Sequence, residues 1–198
     1  MEASDEKAPN PKLETSGFLN NPFEHHNTSF VIIVKSTIKK KHQNYKNMTQ
    51  LKIGDKAPEF SGKDQNGNLI SLKDFKGKKV VIYFYPKDNT PGCSAQACNL
   101  RDNYDSLMKQ GYVIIGVSKD SQKSHQKFIE KFDLPFPLIA DEDKVILNQF
   151  GVWGPKKFMG RVSDGIHRTT FVIDEKGMIS EIIQKVDTEE HTSQILKN

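Results

Sequence analysis

The chain has 198 residues, of which 35% are hydrophobic and 27% are charged, and its formal net charge is +4. This length predicts one folded domain with room for an additional segment. No apolar run reaches the roughly 20 residues that span a bilayer, two cysteines are too few for a disulfide scaffold or a Cys-based zinc site, and the charge is too small to indicate nucleic-acid binding by the whole chain.

Residues 1–50 differ in composition from the rest of the chain. Residues 1–24 are acidic, whereas residues 25–50 contain five lysines and no acid. Their one apolar run, Phe30–Val34, is too short to form a core. We therefore expect a mostly disordered extension with one short strand over residues 1–50, and a folded domain over residues 51–198. The basic run Lys39–Lys41 makes the nucleus an alternative to the cytoplasm as the compartment, with an organelle not excluded.

From Leu51 onward the pattern becomes regular. The run Lys79–Tyr85 is almost continuously apolar and rich in β-branched and aromatic residues, as expected of a strand buried on both faces. Pro91 and Gly111 delimit a predicted helix over residues 91–110. The other predicted strands cover residues 69–72, 112–117, 136–140, 169–173 and 178–186, and the other predicted helices cover 121–132, 144–150 and a short segment from about 188. Strands that alternate with helices and end in a hairpin predict a three-layer α/β domain with a mixed sheet.

Cys93 falls in the first turn of the helix predicted over residues 91–110. Unpaired backbone N–H groups and the positive end of the helix dipole favour an anion at that position. A thiol placed there is suited to react as a thiolate. The alternative interpretation is that Cys93 is a small buried apolar residue.

Cys98 lies five residues further along the same predicted helix. On an ideal helix the two Cα atoms would be about 8.7 Å apart, which is too far for a disulfide. A Cys93–Cys98 disulfide therefore requires the start of the helix to unwind. The alternative is that Cys98 faces the core and takes no part in chemistry. The spacing also differs from the Cys-x-x-Cys pattern of thioredoxins, which argues against a disulfide reductase of that kind.

The segment Phe84–Cys98 contains Pro86, Thr90 and Cys93 in a Pro-x-x-x-Thr-x-x-Cys pattern. It resembles the active site of Q-type peroxiredoxins, the group that includes bacterioferritin comigratory protein. Other segments of the chain also resemble landmarks of that family and occur in the family's order along the sequence. They are Lys56–Phe60, Leu100–Asp102, Asp141–Asp143, Phe150–Gly154, Phe158–Gly160 and Gly165–Arg168. The resemblance covers about residues 51–198 and implies a thioredoxin-like α/β fold of the peroxiredoxin type, with a mixed central sheet flanked by helices. Many family members carry Thr and Glu where this chain has Ser94 and Gln96.

The resemblance implies a thiol-dependent peroxidase that reduces hydrogen peroxide and organic hydroperoxides in antioxidant defence, without a metal or cofactor. Cys93 would be the peroxidatic cysteine and Cys98 the resolving cysteine. Thr90 would hydrogen-bond the thiolate or the peroxide and also cap the helix, Arg168 would supply a fixed positive charge, and Pro86 would shield the site from water. Thioredoxin or a similar thiol reductant would reduce the disulfide, and the Q-type relatives imply a monomer.

Two other functions stay open on the sequence. In the first, Cys98 is inert and an external thiol such as glutathione resolves Cys93, which gives a one-cysteine peroxidase. In the second, the chain is a nuclear redox-signalling or binding protein that is recruited through Lys39–His42.

Overall fold

The computed structural model describes residues 49–158 and 160–197. Nearly all of the predicted extension lies outside the described residues, including its short strand and the basic run Lys39–Lys41. Within the described ranges, no helix combines the length and the apolar composition that crossing a membrane requires.

Helices flank a five-stranded mixed sheet, which confirms the predicted fold class. The strands are β1 Ser61–Lys63, β2 Leu69–Ser71, β3 Lys79–Phe84, β4 Tyr112–Ser118, β5 Leu138–Ala140, β6 Trp153–Phe158, β7 Arg161–Ile166, β8 Thr169–Ile173 and β9 Ile179–Ile183. The helices are α1 Pro91–Asp102, α2 Tyr104–Lys109, α3 Gln122–Phe132, α4 Val145–Gln149 and α5 His191–Leu196, with a 3-10 turn at Leu72–Phe75. The sheet order is β5-β4-β3-β8-β9. Strands β3, β4 and β5 are parallel, and β8 and β9 are antiparallel to their neighbours.

Strand β3 is buried on both faces, as its sequence predicted, and divides the core into two layers. Side chains alternate along a strand, so Val80, Ile82 and Phe84 pack on the side of the sheet that α4 covers. The opposite face presents Val81 and Tyr83 to α1, α2, α3 and α5. The sheet therefore lies between two covered faces, which is the three-layer arrangement expected from alternating strands and helices.

The helix predicted over residues 91–110 is in fact two helices that meet at Asn103. The backbone of Asn103 leaves the helical region, with φ −107° and ψ 13°. Its side-chain amide donates to the carbonyl of Asn99 at 2.8 Å, so it competes with the regular backbone hydrogen bonds. The prediction of one continuous helix was wrong because it rested on the end signals Pro91 and Gly111 and took no account of the break at Asn103.

The described strands differ from the predicted ones in several places: the strand predicted over residues 178–186 ends at Ile183, and β1 was not predicted. The strand predicted from residue 136 begins only at Leu138, after Pro135 and Pro137, whose nitrogens have no hydrogen to donate. The antiparallel pair β6–β7, which joins Trp153–Phe158 to Arg161–Ile166, was not predicted. Gly154, Pro155 and two lysines give β6 little strand propensity, and β7 is mostly exposed, so neither strand shows a period-2 apolar pattern.

His191 attaches the short C-terminal helix α5 to strand β8. Its side chain is fully buried. Nε2 lies 3.0 Å from Thr170 Oγ1 and Nδ1 lies 3.2 Å from Gln194 Oε1, so a neutral ring that donates from Nδ1 and accepts at Nε2 satisfies both contacts. Burial lowers the pKa of His191 from 6.5 to about 4.

We expect this buried histidine to make the fold sensitive to acid. The unfolded chain takes up a proton at His191 below about pH 6.5 that the folded chain binds only near pH 4. The stabilisation is therefore complete above about pH 6.5 and decreases as the pH falls toward about 4. The free energy of unfolding from urea titrations should fall by about 2 kcal/mol between pH 7 and pH 5 through this residue, and His191→Gln should remove that part of the pH dependence. His167→Gln is the control. Burial also lowers the pKa of His167, but that ring is half-exposed. His167 should therefore contribute much less to the pH dependence of stability.

Candidate active site

The two chain segments that form the candidate site meet because β3 and β8 are antiparallel neighbours. Phe84, the last residue of β3, pairs with Thr169, the first residue of β8. The loop that follows β3 and the residue that precedes β8 therefore lie at the same edge of the sheet. This pairing brings Cys93 and Arg168 together although 75 positions separate them in the sequence.

Cys93 is the third residue of α1, as predicted. Thr90 occupies the N-cap position with an extended backbone, and Pro91 is the first helical residue. Proline at this position costs no hydrogen bond, because the first N–H groups of a helix have no partner within it. Cys93 is 2% exposed, so the free N–H groups and the dipole of α1 act on its sulfur away from bulk water.

Arg168 contacts Cys93 directly. Its Nη2 donates to Cys93 Sγ at 3.2 Å, and its Nη1 donates to Gln96 Oε1. Gln96 is itself fully buried, so its amide oxygen holds the guanidinium in one orientation. Gly92 lies alongside: a Cβ added there would stand 3.6 Å from Arg168 Nη2. A fixed cation against the sulfur suits a group that carries negative charge.

Thr90 makes a different contact from the one expected. Its hydroxyl donates to the carbonyl of Lys87 at 2.9 Å, and it makes no side-chain capping hydrogen bond to α1. The expectation that the Thr90 side chain caps the helix is therefore wrong: the residue stands at the N-cap position, but its hydroxyl oxygen accepts no hydrogen bond from the N–H groups of α1. Pro86 is half-buried and forms the bend immediately after β3.

Cys98 is half-buried and lies in the same helix, five residues after Cys93. Both cysteines are free, and α1 is continuous from Pro91 to Asp102. The described form is the one in which the start of the helix is intact. The geometric argument from the sequence applies to it: a Cys93–Cys98 disulfide requires α1 to unwind.

Two further residues at the site had no signal as site residues in the sequence. Gln96 was noted only as a departure from the family pattern, yet it holds Arg168. Lys156, on the unpredicted strand β6, donates from Nζ to the Ile166 carbonyl at 2.9 Å. Burial lowers the pKa of Lys156, and the positive charge of Arg168 lowers it further. This repulsion indicates that Lys156 lies near Arg168.

The sequence and the fold are similar to those of known proteins. The model of the AhpC/TSA family matches residues 53–182. Peroxiredoxin Bcp of Escherichia coli K12 is 48% identical over 149 residues, which is 75% of this chain and 96% of that protein. Peroxiredoxin Bcp of Bacillus subtilis is 44% identical over 147 residues, 74% of this chain and 94% of the relative.

Solved structures agree with the sequence relatives. A cysteine-to-serine variant of Xylella fastidiosa PrxQ superposes with a TM-score of 0.70 at 30% identity, covering 75% of this chain and 95% of the other. The bacterioferritin comigratory protein of Xanthomonas campestris, whose alkyl peroxide reduction activity that structure addresses, gives a TM-score of 0.66 at 33% identity, with 70% and 88% of the two chains covered. These relatives are bacterial and lend no support to a nuclear role.

Proposed function

The chain belongs to the AhpC/TSA family, as a peroxiredoxin of the Q type, and on that premise we propose that Cys93 is its peroxidatic cysteine. Peroxiredoxins are peroxidases that take a hydroperoxide substrate and a thiol reductant. We base the assignment of Cys93 as the peroxidatic cysteine on the contact between Arg168 Nη2 and Cys93 Sγ, at 3.2 Å.

In the first step the Cys93 thiolate attacks one oxygen of the peroxide. An S–O bond forms and the O–O bond breaks, so the sulfur is oxidised to a sulfenic acid and the peroxide is reduced to an alcohol or water. Arg168 stabilises the negative charge as it moves from sulfur to the leaving oxygen. The Thr90 hydroxyl donates to the Lys87 carbonyl, so its lone pairs are available to accept a hydrogen bond from the peroxide. Pro86, half-buried at the bend, shields the site from water.

In the second step Cys98 resolves the sulfenic acid. Its thiolate attacks Cys93 Sγ, the S–S bond forms, and the sulfenic oxygen leaves as water after protonation. An external dithiol, for which we propose thioredoxin, then reduces the disulfide and is itself oxidised. The one-cysteine cycle is the alternative, since α1 is intact and both thiols are free in the described form.

Peroxide-dependent oxidation of NADPH in the presence of thioredoxin and thioredoxin reductase tests this function. Wild-type protein should consume NADPH in proportion to the hydrogen peroxide added, and Cys93→Ser should reduce the rate to the background without protein. Wild-type protein treated with one equivalent of peroxide should lose 2 Da as an intramolecular disulfide forms, about the mass of two hydrogens. Absence of peroxide consumption with any thiol donor would contradict the proposal.

A further inference from the structure

A buried polar cluster adjoins the loop that joins β3 to α1. Its centre is the Asp88 carboxylate, whose side chain is 2% exposed. Asp88 Oδ1 accepts a hydrogen bond from the Tyr85 hydroxyl at 2.8 Å, and Oδ2 accepts one from the Ser124 hydroxyl at 2.7 Å. His125 Nδ1 lies 2.9 Å from the same Oδ2. Three side chains from two segments of the chain therefore converge on one carboxylate.

The His125 ring pairs with the Asp88 carboxylate through Nδ1. It is fully buried, and its second nitrogen, Nε2, lies 3.2 Å from the carbonyl oxygen of Ile139 in β5. Each ring nitrogen therefore has an oxygen within hydrogen-bonding distance, Asp88 Oδ2 at Nδ1 and the Ile139 carbonyl at Nε2. Burial by itself would raise the pKa of Asp88, but the hydrogen bond and charge of His125, with the Ser124 and Tyr85 hydroxyls, bring it below its ordinary value. The carboxylate is thus ionised and paired.

The backbone of Asp88 is fixed as well. Its N–H donates to Asp120 Oδ2 at 2.8 Å, and that oxygen also accepts from the Ser118 hydroxyl at the end of β4 at 2.9 Å. Between Tyr85 and Cys93, Asp88 is the one buried residue. The neighbouring Asn89 adopts a left-handed conformation, with φ 57°. The path of this loop therefore depends on where Asp88 is held.

We propose that Asp88, paired with His125, is a positioning residue for peroxide reduction: it holds the loop of residues 86–90 and so places the Thr90 hydroxyl beside Cys93. Asp88 lies between Lys87, whose carbonyl accepts from the Thr90 hydroxyl, and Thr90 itself. Displacement of Asp88 therefore moves both partners of that hydrogen bond. This inference rests on the proposed function, because it assumes that peroxide reacts with Cys93 next to this loop.

The test compares two reactions of the same sulfur. Asp88→Asn should lower the second-order rate constant of Cys93 with hydrogen peroxide by about 10- to 100-fold, the range expected when an indirect positioning contact is lost. The rate of alkylation by iodoacetamide, which needs no aligned peroxide, should change by less than about threefold. His125→Gln should give the same selective loss. The double variant should lose less than the product of the two single effects, since both variants disrupt one pair.

Asp141→Asn is the matched control. Asp141 is a buried aspartate at the same edge of the sheet, but its oxygens accept from the backbone N–H groups of Val145 and Leu147 in α4, both at 2.8 Å. This substitution should lower the melting temperature and leave the peroxide rate unchanged. Ser124→Ala removes a single hydrogen bond to Asp88 and should reproduce the selective loss in weaker form if Asp88→Asn does not fold.

The outcomes separate this inference from the proposed function. A wild-type chain without peroxide reactivity would overturn the proposed function itself. If the wild type reacts but folded Asp88 and His125 variants keep its peroxide rate, the pair serves stability alone and the positioning role is wrong. Equal losses in the peroxide and iodoacetamide reactions would also overturn it, because the pair would then act on the Cys93 sulfur rather than on the loop.

Discussion

Arg168→Met is expected to slow the reaction of Cys93 with hydrogen peroxide by about 100- to 1,000-fold, the usual effect of removing one fixed donor from developing negative charge. Nη2 of Arg168 donates to Cys93 Sγ at 3.2 Å. Methionine keeps much of the apolar stem but loses the charge and every donor. The rate constant should be measured under single-turnover conditions with excess peroxide, so that the reducing thiol does not limit it.

Two further variants separate charge from geometry in this prediction. Arg168→Lys retains the positive charge, but an ammonium group cannot reproduce the fork that serves Cys93 and Gln96 together. It should therefore recover only part of the rate. Arg161→Met, at an exposed position of β7, is the matched control and should react as fast as the wild type. A folded Arg168→Met variant with a wild-type peroxide rate would rule out the proposed role.

The fold was predictable where local pattern and tertiary environment agree. The run Lys79–Tyr85 is apolar at every position that the two core layers require, so its burial on both faces followed from the sequence. Cys93 likewise falls where Pro91 and the preceding loop indicate a helix start. The β6–β7 hairpin was not predicted because β6 contains Gly154, Pro155 and two lysines, which have low strand propensity, and β7 is mostly exposed. Their sequences do not show the alternation of apolar and polar residues that predicts a strand.

The site was predictable only in the part that a local motif encodes. Pro86, Thr90, Cys93 and Cys98 lie within 13 residues of one another in the sequence. The pair of Asp88 and His125 is 37 residues apart in the chain, and no spacing rule connects the two. Arg168 was suggested by the family resemblance rather than by its own surroundings, and its contact with Cys93 depends on the register of β3 against β8. Contacts between distant parts of the chain therefore determine the site residues that the local motif does not encode.

Cys98→Ser is expected to lower the rate of turnover with thioredoxin by about 100-fold or more. One equivalent of peroxide should still be consumed. Without a resolving thiol the Cys93 sulfenic acid has no partner in the chain, so no disulfide forms for a dithiol to reduce. The measurement is NADPH oxidation at steady state, followed by the mass of the protein after a single equivalent of peroxide. The variant should gain about 16 Da, one oxygen, where the wild type loses 2 Da.

The structure also indicates how the helix must move for this cycle to operate. The residue after Cys98 is held: Asn99 Nδ2 donates to the Glu189 carbonyl at 2.5 Å, and Asn99 Oδ1 accepts from the Thr192 N–H at 2.8 Å. The contacts of the first turn include Ser94 N–H to the Thr90 carbonyl at 2.9 Å and Arg168 to Cys93, and Pro91 has no N–H to donate. Unwinding should therefore start at Pro91 and carry Cys93 toward a nearly stationary Cys98. Normal turnover of Cys98→Ser with thioredoxin would exclude this movement from the cycle and leave the one-cysteine mechanism in its place.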